Sequence, residues 1–194
     1  MAEGQNVGTP RVLMVDDEPE VADAYALRLE GVAEVTTTYG AEEALAAVDE
    51  RPLPDVVLLD RHMPGRSGDD VLAELRDRAL HTRVIMVTAI DPGLDVLELP
   101  FDDYLCKPVD RADLRTAVDQ QCQVLAYELL GEYFSLESTR ALLEAELPPE
   151  TRREHEEFAD LERRTTALAD RLRRLLPEAE RLLERFSGVD RATF

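Results

Sequence analysis

Residues 55–68, Asp55-Val56-Val57-Leu58-Leu59-Asp60-Arg61-His62-Met63-Pro64-Gly65-Arg66-Ser67-Gly68, constrain the fold more than any other stretch of the chain. Val56 to Leu59 is an unbroken apolar run, half of it β-branched, which predicts a strand buried on both faces as in a parallel sheet. Asp60 stands at its carboxyl end, the edge where open α/β sheets leave a crevice for ligands. Met63-Pro64-Gly65 and Ser67-Gly68 then supply turn chemistry dense enough to force an exposed loop. A lone aspartate after a strand is more often a helix cap than a reactive group, so its meaning depends on what the other strand ends bring.

Those ends repeat the pattern. Arg11 to Val15 predicts a second buried strand that finishes on Asp16-Asp17-Glu18, and Pro19 with acids around it announces a helix carrying Val21, Tyr25 and Leu29. A strand over 33–38, a helix over 41–50, a helix over 68–78 and a strand over 83–88 follow. Tyr104 to Cys106 forms a short last strand, ahead of Lys107-Pro108 and a helix capped by Asp110. Strands alternating with helices at this pitch mean right-handed crossovers and a doubly wound five-stranded parallel sheet.

In such a sheet every carboxyl end lies on one edge, so Asp16, Asp17, Asp60, Thr88 and Lys107 converge. Carboxylates that meet in one crevice must take up protons or gather round a cation, and hard oxygen donors suit Mg²⁺, which retains waters and accepts phosphate oxygens. A threonine hydroxyl and an ammonium opposite the acids complete a cradle for a phosphoryl group, with a carboxylate as nucleophile. Of the 22 basic residues only Lys107 is a lysine, so a compact ammonium stands where phosphate would be met and a planar guanidinium everywhere else.

Asp16-Asp17, Leu59-Asp60 with Met63-Pro64-Gly65, Val87-Thr88-Ala89 and Tyr104-Leu105-Cys106-Lys107-Pro108 resemble, in order and spacing, the receiver domain of two-component response regulators. The resemblance implies a flavodoxin-like fold over residues 11–123; the short, polar, Gly-containing stretch over 1–10 ahead of it is expected to be a disordered amino terminus. It implies that Asp60 accepts phosphate from a sensor histidine kinase, that the protein modifies itself rather than acting as an enzyme on other molecules, and that it works in the cytoplasm. Asp16, Asp17, Asp60 and the backbone carbonyl of His62 would hold Mg²⁺. Thr88, Ala89 and Lys107 would bind the phosphoryl oxygens, and Thr88 and Tyr104 would act as the switch. The His62 side chain is expected to face solvent near the site, His81 and His155 to be surface residues without partners, and Cys106 to be a small buried residue. One departure stands out: only eighteen residues, with Pro92, Gly93 and Pro100 among them, separate Thr88 from Lys107. The fourth helix of an ordinary receiver must here be short, irregular or mobile, which puts dimerisation through it in question.

From Arg111 the apolar positions continue at helical spacing past the receiver, so its last helix is expected to run straight into a second region. Leu136 to Leu147 predicts a further helix stopping at Pro148-Pro149, and Leu161, Leu168, Leu175 and Leu182 fall seven apart, interrupted by Pro177. A hairpin packed on itself and a coiled-coil homodimer both fit that spacing. Gly131 to Leu136 with the acidic, Leu-rich helices after it resembles the HalX domain found behind receivers in haloarchaea, which implies an output or interaction role for residues 124–194.

The formal charge is -20, with 42 acids against 22 basic residues, a surface that repels nucleic acid and anionic membrane. Together with the arginine bias it resembles proteins of salt-loving archaea, and a GC-rich genome explains the bias equally well. Residues 120–194 mix sixteen acids with eleven arginines at helical spacing, a solvated ion-paired surface without a recognition-helix pattern, so a DNA-binding regulator is disfavoured. A dehalogenase-type phosphatase would want a second aspartate two residues after Asp60, where His62 stands. A receiver that signals by contact alone would keep every residue and lack only the chemistry. Cys106 and Cys122 form neither a disulfide framework nor a zinc spacing, and no leader or membrane segment is expected.

Overall fold

The structure, a computed structural model, describes residues 8–50, 52–78, 80–89 and 93–187. The expectation of a disordered amino terminus falls on residues 1–7 outside that set, whereas the Pro10 carbonyl accepts the Glu34 N–H at 2.8 Å and so belongs to the sheet. The described chain divides into two compact units, one formed by residues 9–125 and one by residue 8 with residues 126–187.

The first unit is built on β1 (Arg11–Val15), β2 (Glu34–Thr38), β3 (Val56–Leu59), β4 (Arg83–Thr88) and β5 (Asp103–Cys106), all parallel, in the order β2-β1-β3-β4-β5. β1 and β3 pair Val12 with Val56 through to Val15 with Leu59, so the residues after each strand, Asp16 and Asp60, emerge side by side. Every residue of β3 is fully buried, the condition its apolar run demands. β2 lies at the edge, and its exposed residues alternate with less exposed ones.

α1 (Pro19–Arg28), α2 (Ala41–Asp49) and α3 (Gly68–Asp77) are the crossovers. Their inward residues, Ala44, Leu45 and Val48 of α2 and Val71, Leu72 and Leu75 of α3, join Leu13, Val57, Leu59 and Met86 of the sheet in one core. α1 starts at Pro19 as anticipated, and its N-cap is Glu18, without a side-chain cap bond, so the Asp16 carboxylate does not cap this helix. α3 has a complete capping box between Ser67 and Asp70. Between β4 and β5 the described chain forms only a short 3-10 helix (Leu94–Glu98), on which Leu94 and Leu97 are exposed. The shortened fourth helix is thus confirmed.

α4 (Arg111–Glu146) begins where the Asp110 carboxylate accepts the N–H groups of Ala112 and Asp113. Contrary to the expectation of a separate helix after Gly131, it is one helix of 36 residues, because a single glycine costs only about 1 kcal/mol in a helix interior. It is followed in the second unit by α5 (Pro149–Glu154), α6 (Glu156–Leu175) and α7 (Ala179–Ser187), with Pro177 between the last two. There α6 runs back along α4: Arg164 pairs with Glu132 at 3.1 Å, and Arg152, ahead of α6, with Glu144 at 3.4 Å. Leu129, Tyr133, Phe158, Leu172, Leu175 and Leu183 are buried, whereas Leu161, Leu168 and Leu182 are half-buried, so of the four leucines spaced seven apart only Leu175 is buried in this hairpin. The Phe186 side chain lies outside the described residues. His155, expected to stand alone, faces Glu157 with Nδ1 3.8 Å from its carboxylate.

Candidate functional site

Asp16, Asp17 and Asp60 meet at the carboxyl ends of β1 and β3, each offering a carboxylate oxygen within 4.8 Å of the others. Asp16 and Asp60 are buried and Asp17 is half-buried. Among the described residues no other group of three His, Cys, Asp or Glu side chains lies close enough to hold a metal. Lys107, just past β5, reaches across the sheet edge and donates from Nζ to Asp16 Oδ2 at 2.6 Å and to Asp60 Oδ1 at 2.9 Å. One ammonium thus faces three acids. The site retains an excess of hard oxygen donors, which fits a divalent ion in the sense of charge and ligand type.

Asp16 and Asp60 are held by backbone. The Asp60 N–H donates to Val15 O at 2.9 Å, its Oδ2 accepts the His62 N–H at 3.0 Å, and Asp16 Oδ1 accepts the Glu18 N–H at 3.0 Å. Burial pushes the Asp60 carboxyl above the ordinary aspartate range; the Lys107 ammonium and the His62 amide oppose the rise, and the Asp16 charge adds to it. For Lys107 burial disfavours the ammonium, but its hydrogen bonds to Asp16 and Asp60 and their charges outweigh that and hold the amine charged.

Thr88 is buried at the end of β4 and accepts the Lys107 N–H on its carbonyl at 2.8 Å. Ala89 follows it, exposed. The His62 side chain is exposed. Tyr104 is half-buried on β5, its ring tilted against Phe101 at 5.5 Å, and packs on the core. Cys106 is exposed rather than buried, because β5 is the last strand of the sheet and Cys106 lies at its end.

Three positioning features escape sequence reasoning. A Cβ on Gly68 would lie 2.2 Å from the Asp60 carbonyl oxygen, so only glycine lets α3 start against the β3 loop, and the Gly68 N–H donates to Arg61 O at 2.9 Å. Arg61 holds Asp69 with Nε and Nη2, at 3.0 to 3.2 Å, and so ties the same loop to the first turn of α3. Tyr25 and Arg28 of α1 both bond to the backbone of Val109. A Ser-Gly pair opening a helix is a signal for the first, whereas the other two depend on tertiary neighbours that no local pattern encodes.

Comparison with known proteins follows the same division. The family model described as "Response regulator receiver domain" matches residues 12–119, and that of the HalX domain matches residues 123–188. A Haloferax volcanii protein provisionally named a transcriptional regulator is 42% identical over 181 residues, which is 92% of this chain and 31% of that protein. The sensory transduction protein RegX3 of Mycobacterium tuberculosis is 46% identical over 108 residues, 53% of this chain and 46% of that protein. This chain therefore spans less than half the length of either relative. Among solved structures, a CheY-like response regulator receiver domain protein from Methanospirillum hungatei superposes with TM-score 0.57 at 28% identity, over 62% of this chain and 99% of that one. A Francisella response regulator receiver domain does so with TM-score 0.54 at 29% identity, over 58% and 96%.

Proposed function

The chain belongs to the response regulator receiver-domain family, with a HalX domain behind the receiver, and we propose that it accepts a phosphoryl group on Asp60 from the phosphohistidine of a sensor kinase. The observation that carries this reading is the Asp16–Asp17–Asp60 cluster with the Lys107 ammonium seated on two of its members. A carboxylate oxygen of Asp60 attacks phosphorus, the phosphorus–nitrogen bond breaks, and the departing imidazole nitrogen takes up a proton. Lys107 neutralises charge on the transferring oxygens from one side, and Thr88 and Ala89 offer a hydroxyl and a backbone N–H at the end of β4. Asp16, Asp17, Asp60 and the His62 carbonyl would hold Mg²⁺, which when bound supplies counter-charge to the phosphoryl group. The protein then releases phosphate from itself and turns over no other substrate. Thr88 and Tyr104 carry the change away from the site, and the HalX hairpin, joined through α4, carries it to a partner. Repulsion by the acidic surface argues against nucleic acid as that partner. Receipt of a phosphoryl group from a sensor kinase would place its work in the cytoplasm; no described helix is long and apolar enough to cross a membrane.

The test is direct labelling. Incubated with acetyl phosphate and Mg²⁺ and weighed intact, the native chain gains one phosphoryl group, and the gain is lost on chelation or in Asp60→Asn. A native chain that stays unmodified under these conditions, or an Asp60→Asn chain that is modified like the native one, removes the reading.

A further inference from the structure

Lysine has four rotatable bonds between Cα and its ammonium, so Nζ can be held no more accurately than the backbone that carries it. The Lys107 N–H is fixed to Thr88 O, and Pro108 has no N–H to offer. The next residue, Val109, is only 5% exposed, so both of its backbone polar groups need partners. Both come from α1, more than 80 residues earlier in the chain: the Val109 N–H donates to the Tyr25 hydroxyl at 3.1 Å, and the Arg28 guanidinium donates to the Val109 carbonyl.

The brace is itself braced. The Arg28 guanidinium lies 4.6 Å from the centroid of the Tyr25 ring. Arg111 donates to the carbonyls of Arg28 and Glu30 at 3.1 and 3.3 Å, and Arg115 to the same two at 3.1 and 2.9 Å, so the first turns of α4 close the end of α1. Tyr25 is buried, and phenylalanine would fill its space equally well; the hydroxyl is what meets the Val109 amide.

We propose that Tyr25 and Arg28 are positioning residues for Lys107: by satisfying both backbone groups of Val109 they fix the link between β5 and α4 and so aim the ammonium at Asp16 and Asp60. This rests on the reading of Lys107 as the group that meets the phosphoryl oxygens. Neither residue touches the reacting atoms.

The test uses the full chain, with Tyr25→Phe made in the native and in the Lys107→Ala background and labelling by acetyl phosphate followed at saturating Mg²⁺. In the native background Tyr25→Phe slows the maximal rate about tenfold, the scale of a small misplacement of a charge-stabilising group. With Lys107 already absent it adds no further loss, since the two act as one unit. An equal loss in both backgrounds, or none in the native one, overturns the proposal. Arg28→Gln gives the same comparison should Tyr25→Phe fail to fold. A second readout needs no phosphorylation. Lys107 is the chain's only lysine, so isotope-labelled lysine gives a single ε-methylene signal in an NMR spectrum. Tyr25→Phe moves that signal toward the position of a free lysine; a signal that stays where it is in the native protein overturns the proposal. If the native chain takes no phosphoryl group the reading of Asp60 falls, while the lysine signal still decides whether Tyr25 aims Lys107.

Discussion

Burial holds the Asp60 carboxyl above the ordinary aspartate range, Lys107 and the His62 amide work against that, and the Asp16 charge reinforces it. A carboxyl with a raised folded-state pKa binds its proton more tightly folded than unfolded. Its contribution to stability is therefore complete below the unfolded value of about 3.9 and is lost as pH climbs through the folded value. Above that window the Asp60 charge opposes folding. Asparagine has the same shape without the charge, so Asp60→Asn melts at a higher temperature than the native chain at pH 7 in a chelator, and the gap narrows as pH falls through the raised folded value and is closed by about 3.9. Thermal melts at several pH values decide it. A less stable Asp60→Asn at pH 7 would mean that the pair with Lys107 outweighs burial. A residue kept at a cost to the fold is expected where binding or chemistry needs it.

At the scale of elements, α3 shows how a helix start serves the site. The Ser67 hydroxyl accepts the Asp70 N–H at 3.2 Å and the Asp70 carboxylate accepts the Ser67 N–H at 2.9 Å, next to the Gly68 that lies against Asp60. Ser67→Ala is expected to cost about 1 kcal/mol in denaturant unfolding at pH 7. The bonds from Ser67 hold the Asp70 carboxyl below its ordinary range, so its share is present above that range and fades as pH falls through the lowered folded value. The same Ser67→Ala comparison near pH 3 should therefore show a smaller loss. Elements of this kind were legible from sequence: the three apolar strands β1, β3 and β4, the Pro19 start and the Asp110 cap all stand where residue types demanded them. So was the convergence of Asp16, Asp17, Asp60 and Lys107, because a parallel sheet puts all carboxyl ends on one edge. What sequence did not yield depends on neighbours distant along the chain. Cys106 is exposed because nothing pairs beyond β5, α4 crosses Gly131 because the residues around it hold the helix, and the Tyr25 hydroxyl finds a partner 84 residues away.

For the whole molecule the governing quantity is charge. With 42 acids and 22 bases, even a surface on which every basic residue found a carboxylate would leave twenty negative charges without a counter-charge. Pairs such as Arg163 with Asp160 and Arg173 with Asp170 are exposed, and such pairs each contribute about 0–1 kcal/mol. Salt acts on both contributions unequally. The Debye length falls from about 10 Å at 0.1 M to about 3 Å at 1 M, so repulsion summed over many distant carboxylates is removed well before a pair in direct contact is weakened. The melting temperature is therefore expected to climb as sodium chloride rises from 0.1 to about 1 M and to level off beyond it. Chloride is the salt to use, since sulfate would strengthen apolar burial whatever the charge. The climb should shrink as pH is lowered toward the sequence pI of 4.4, where protonation has already removed the repulsion. A melting temperature that is flat or falls with added chloride at pH 7 would show that the ion pairs, and not the excess of carboxylates, dominate the electrostatics of this fold.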